Sequence, residues 1–167
     1  MRTITTKLLA VLLALTAALG CVSCSSVDDG DYVDPITLSE KIGGRWVVNS
    51  VIQTDETNAK IMTLTDLLDF DTFVINFDRD ASGNPSTFSI EGNAPALLPQ
   101  KGTWKMDYNF TKSDATASQI LLTGSDQPVS LTVTTLPGNN QTLEYKLVRK
   151  VNGQPFVSYS YNLTKAE

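Results

Sequence analysis

Cys21 and Cys24 are the only two cysteines in the chain. Their C-x-x-C spacing is that of a thiol–disulfide exchange centre or of half a zinc site. Either chemistry needs a setting: a helix start in a folded domain for the redox pair, a second pair of ligands for the metal. Neither exists here, because residues 8–19 are an uncharged run of Leu, Ala, Val and Thr and the chain holds no histidine. The lack of histidine also removes Ser-His and Cys-His nucleophiles and the commonest transition-metal ligand. A second candidate is DRDASGN, which puts Asp78, Asp80, Ser82 and Gly83 at positions one, three, five and six of a calcium loop. Position twelve is Ser89, so the closing bidentate glutamate is missing and a hairpin turn is expected, with Asp78, Asp80 and Ser82 left as the metal candidate. Carboxylates at Asp66, Asp69, Asp71, Glu91, Asp107 and Glu144 could pair for glycoside hydrolysis. In an acidic chain of net charge −5, however, such pairs arise readily on a solvated face. These residues imply no catalytic set, no cofactor and no enzyme, with a carboxylate-based hydrolase as the third reading of function.

The cysteines make better sense as an export signal. Arg2 and Lys7 precede the apolar run, which at about 12 residues falls short of the roughly 20 needed to span a bilayer. Small residues follow, then a cysteine, then the polar and acidic SSVDDGD, an arrangement that resembles a bacterial lipobox. Cys24, where the polar tail begins, is the expected site of lipid attachment; Cys21, with the better hydrophobic residues upstream, is the alternative. The expected organisation is a signal peptide over 1–23, an acidic flexible tether over 24–36 and one domain over 37–167. A multiply acylated cysteine holds a protein firmly on a membrane. The protein is therefore expected to be exported and lipid-anchored, on the periplasmic or surface face of a Gram-negative outer membrane. No cluster of Lys or Arg equips it for nucleic acid.

The domain must then position whatever function remains. Thr37 followed three residues later by Glu40 is a capping-box pattern, and Gly43-Gly44 stops the turn it starts, so one short helical turn is expected. Beyond it the period is two. Eight segments, 46–53, 72–78, 86–92, 103–110, 118–124, 129–136, 142–150 and 156–163, read as strands separated by turn residues. Trp104, Met106, Tyr108 and Phe110 alternate with Lys105, Asp107 and Asn109 in the cleanest of them. Short links force antiparallel neighbours, so the expected fold is all-β, an eight-stranded antiparallel up-and-down barrel, which also removes exposed edges. Ile61, Leu64, Leu67 and Leu68 recur at helical spacing, which predicts a short helix between the first two strands. Odd-numbered connections of such a barrel share one end, so the segments 57–70 and 93–100 should form one mouth, presenting Met62, Leu64, Leu67, Leu68, Leu97 and Leu98.

Gly44-Arg45-Trp46 opening the first of eight strands after a short helical turn resembles the lipocalin arrangement, in which a G-x-W tryptophan plugs the closed end. With the lipobox and with Gly102-Thr103-Trp104, the chain is most similar to lipocalin-like bacterial lipoproteins of unknown function. The barrel interior is expected to hold Trp46, Phe73, Phe77, Phe88, Trp104, Tyr108, Tyr145 and Tyr159. The resemblance implies a non-enzymatic binding protein that takes a small apolar ligand or a protein partner at the open end. The alternative is a structural or accessory subunit of a surface assembly, its core solid throughout.

Metabolic labelling with an acyl analogue should mark the protein at Cys24 and be lost in Cys24→Ala. Label that survives this change but disappears in Cys21→Ala would move the anchor to Cys21, and label that survives both would end the lipidation reading.

Overall fold

Trp46 shows how the chain begins its barrel. Its indole Nε1–H donates to the carbonyl of Ile42 at 2.6 Å, which pulls a five-residue helix, α1 (Leu38–Ile42), across the end of the first strand. Thr37 and Glu40 form the expected capping box, and Leu38 and Ile42 on the underside of α1 are buried. The structure, a computed structural model, describes residues 36–67, 69–94, 98–108, 118–124 and 128–166. The expected leader and tether with Cys21 and Cys24, and the side chains of Leu68 and Leu97, lie outside the described residues.

Among the described residues nine strands follow α1: β1 (Gly44–Asp55), β2 (Ile61–Thr63), β3 (Val74–Arg79), β4 (Pro85–Glu91), β5 (Lys101–Met106), β6 (Gln119–Thr123), β7 (Val129–Thr135), β8 (Thr142–Val151) and β9 (Gln154–Lys165). All pair antiparallel in the order β2-β1-β3-β4-β5-β6-β7-β8-β9, and β9 returns to pair with β1. Eight of them, all but β2, therefore make a closed up-and-down barrel. Among the described residues no helix is long and apolar enough to cross a membrane. The end where α1 sits is called lower here; the opposite end, where β1 finishes at Asp55, is upper.

Alternation sorts each strand. Ile120 and Leu122 of β6, Leu131 and Val133 of β7, and Leu143, Tyr145 and Leu147 of β8 are buried, with more exposed residues between them. Phe73, Phe77, Phe88 and Trp104 join Trp46, Tyr145 and Tyr161 in one apolar cluster, each burial contributing about 1.5–3 kcal/mol before chain entropy is counted. Trp104 donates to the carbonyl of Asp78 at 2.7 Å, so both tryptophans satisfy their polar atom against the backbone. The outer face carries the charges: Arg45 grips Glu91 through two hydrogen bonds of 2.7 and 3.0 Å, and Asn76 adds a third at 3.0 Å.

Two expectations fail. The segment between β1 and β3 is not a helix but β2, a turn, and a 3₁₀ turn over Phe70–Thr72. Because β3 pairs only with Gly44–Val47, it leaves the upper edge of β1 open, and Ile61–Thr63 adds to that edge at Thr54–Ile52. An unpaired edge gains more from three residues of ladder than an isolated one-turn helix could supply. Tyr108 is not interior; it is 61% exposed. The ladder stops just before it, because the Asp107 carboxylate accepts the amides of Tyr108 and Gln119 at 2.8 and 2.7 Å and turns the chain out of β5.

Gly102 and Gly124 face one another where β5 meets β6. A Cβ at Gly102 would lie 2.1 Å from the Thr123 carbonyl oxygen, and one at Gly124 would lie 2.0 Å from that of Lys101. The obstacle is backbone, which cannot rotate away. Gly102→Ala should therefore destabilise the barrel by about 1–3 kcal/mol in urea unfolding, whereas Gly83→Ser, where a Cβ meets nothing within 4 Å, should lose only the smaller cost of its positive φ.

Candidate functional site

The residues expected to form the mouth divide. Leu64 and Leu98 are buried members of the core cluster, and Phe70 joins them. The backbone fixes this: Leu64 N–H donates to the Val51 carbonyl at 2.8 Å and Val51 N–H donates to Thr65 Oγ1 at 3.0 Å. The chain after β2 is thus drawn against β1 and fills the space above β3 instead of framing an opening. Met62 and Leu67 stay exposed, with Ile61 beside them at 70% exposure.

The opening lies elsewhere on the same end. β7 and β8 are paired only at Thr132↔Lys146, Val133↔Tyr145 and Thr135↔Glu144. Above that, Val129, Ser130 and Leu131 pair with β6 alone, and Leu147 to Val151 pair with β9 alone. The wall parts into a slit. A cleft of about 540 Å³ runs along it, lined by Val129, Ser130 and Thr132 on one side and by Leu147, Val148, Arg149 and Lys150 on the other. A second cleft of about 430 Å³ lies against the upper ends of the paired strands β1 and β9, lined by Gln53, Asp55, Phe156, Val157 and Tyr159, and it too is bounded by Arg149.

Registers place the inward side chains in tiers. From the upper rim these are Asp55–Val157–Arg149, then Gln53–Tyr159–Leu147, then Val51–Tyr161–Tyr145, then Val48–Leu163–Leu143. The family description "Domain of unknown function (DUF5004)" matches residues 23–164. The chain belongs to the DUF5004 family. No curated protein matches it, and no solved structure does.

In this DUF5004 barrel the polarity of the tiers changes with depth. At the rim, Asp55 accepts from Thr57 N and Oγ1 and from Asn58 N and Nδ2 at 2.5–3.2 Å, and these donors hold its carboxyl well below the usual range. Glu56 is committed as well, to Lys146 at 2.7 Å and to the Ser158 hydroxyl, which together lower its pKa. Arg149 has its guanidinium 5.4 Å above the centre of the Phe156 ring, and among the described residues no carboxylate lies within ion-pairing distance of it. Two tiers down, Tyr145 and Tyr161 stack with ring centres 4.9 Å apart. Their hydroxyls are buried and find no hydrogen-bond partner among the described residues; burial pushes both well above the ordinary tyrosine value. Ser118, beside Val133 in the same tier, has a buried hydroxyl in the same condition.

Of the expected interior residues, Trp46, Phe73, Phe77, Phe88, Trp104 and Tyr145 are enclosed, while Tyr159 is partly exposed and lines the second cleft. Arg149 and Gln53 were missed from sequence. The signal for Arg149 was present: it continues the buried alternation Leu143, Tyr145, Leu147, so a cation falls on the apolar parity of its strand.

A third cleft, about 600 Å³, lies at the lower end beside Asp78 and Asp80. Its charges are engaged. Asp80 Oδ1 accepts the amides of Ser82 and Asn84 at 2.8 and 2.9 Å, and Asp78 Oδ2 accepts from Thr87 at 2.9 Å. Arg79 faces Glu40 at 3.9 Å, and Lys165 lies over the Trp46 ring. The Asp80 oxygens close a hairpin turn, and Ser82 contributes a backbone amide to that turn. Among the described residues no group of three or more His, Cys, Asp or Glu could hold a metal ion. Calorimetric titration with calcium should show no binding tighter than millimolar; micromolar binding abolished by Asp80→Ala would make this loop a site.

Proposed function

We propose that this protein is a membrane-anchored, non-enzymatic binding barrel that takes a small ligand with an apolar body at its upper rim. The observation that carries this reading is the pair of clefts, about 540 and 430 Å³, on either side of Arg149. Each falls within the size range of small-molecule sites, roughly 300–1,000 Å³. Below them the interior is packed with side chains, so a ligand would rest in the upper third of the barrel, against Leu147, Val157 and Tyr159, and would not thread its axis. A lipid on Cys24 would hold the domain at the outer membrane. The proposed absence of catalysis rests on residue chemistry: the carboxylates nearest the clefts, Asp55 and Glu56, are depressed in pKa by their partners, the opposite of a general acid.

A second reading has its own support. Ile61, Met62 and Leu67 are large, apolar and exposed within one short segment at the upper end, as the docking surface of an accessory subunit would be. Native mass spectrometry of the protein purified from its own host separates the two. The ligand reading expects a small-molecule mass retained on the wild type and lost in Leu147→Arg, which fills the slit. A co-purifying subunit released by Met62→Glu, with no small molecule, would replace the first reading by the second.

A further inference from the structure

Arg149 and Lys150 stand at the rim of the slit in a chain of net charge −5. Among the described residues no acidic side chain forms an ion pair with Arg149 or Lys150. Asp55 is saturated by its own turn and Glu56 is held by Lys146 and Ser158. Asp55, the one acidic residue lining the second cleft, has its oxygens turned to Thr57 and Asn58, and β7 and β9 contribute no acidic side chain to either cleft. A guanidinium presents paired N–H groups in one plane, the geometry that receives two oxygens of an anion at once. The parted edges of β7 and β8 add backbone groups that the ladder leaves unclaimed. Among the polar Gln119, Ser130 and Thr132 the slit also carries apolar side chains, Val129 and Leu147 on the inward parity and Val148 on the outer.

We infer that the slit between β7 and β8 binds an organic monoanion, its carboxylate or sulfonate on Arg149 and its apolar body between Val129 and Leu147. This deepens the ligand reading of the rim and rests on it. The two cations attract a small anion locally, while the net charge of −5 on the chain opposes the approach of a polyanion such as a nucleic acid. The inward parity of Arg149 sets the orientation: the anion's charge lies at the rim in water and its body points down toward Tyr159 and Tyr145.

The test uses acids and their uncharged amides of the same shape. The full-length lipidated protein in nanodiscs is titrated calorimetrically with 2-naphthoate, 2-naphthamide, hexanoate and hexanamide, with empty nanodiscs subtracted. At least one acid should bind about tenfold or more tighter than its amide, a gap of about 1.4 kcal/mol. Arg149→Gln should close that gap without lowering the thermal midpoint, and Arg149→Lys should restore part of it. The acid that binds more tightly tells whether the body is aryl or alkyl. Acid and amide binding equally, or a gap that survives in Arg149→Gln, would overturn the anion site while leaving an apolar ligand site in place. Binding by none of the four would overturn both the anion site and the small-ligand reading beneath it.

Discussion

The seam between β1 and β9 is the constraint from which the rest of the molecule follows. It runs from Trp46↔Lys165 to Asp55↔Val157, the whole working length of both strands, and it joins residues more than a hundred positions apart. Until that seam forms, the chain is a meander with two bare edges and an apolar face open to water. Once it forms, every inward side chain faces another, and the tiers are set. An irregularity between Val48 and Ser50 lets β1 bend, so that Trp46 can lie under α1 while Val51 still points inward beside Tyr161.

Closure at one seam coexists with separation at another. A barrel sealed along every strand pair would enclose only its own core, as the lower half of this one does around Trp46, Phe77 and Trp104. In the upper half β7 and β8 separate, and the space is bordered by a cation with no acidic partner among the described residues. β1 and β3 also separate above Val47, but there the chain repairs the wall with β2 and with Leu64 and Phe70. One gap is filled from within the chain, and the other is left with charge at its edge. That contrast is the physical argument for the function proposed at β7–β8.

The sequence made the strands and their order legible because alternation and turn residues act over short distances. Each of the eight strands expected from period two exists, and α1 begins at the capping box that announces it. What it concealed depends on partners far along the chain. Leu64 and Leu67 have helical spacing, yet one is core and the other exposed, because the open edge of β1 decides the local structure. Tyr108 kept its alternation while the Asp107 carboxylate ended the ladder beneath it. The slit was invisible for the same reason: nothing in Val129–Leu131 or Leu147–Val151 taken alone says that the two stretches do not pair. The aliphatic loops looked like a mouth because leucines between strands suggest one, yet Leu64 and Leu98 belong to the core while Met62 and Leu67 stay exposed.

The stacked pair Tyr145 and Tyr161 gives the barrel an alkaline boundary. Folded, the two hydroxyls keep their protons far above the ordinary value near 10, because neither can carry a charge where it lies. Unfolded, they release those protons at about that value. The contribution to stability is complete below it and drains away as the medium becomes more basic, since only the opened chain can ionise. Tyrosinate absorbance from these two rings should therefore rise together with loss of the barrel and not before it. With no histidine anywhere in the chain, no imidazole titrates between this phenolic limit and the opposing acid limit set by the paired carboxylates.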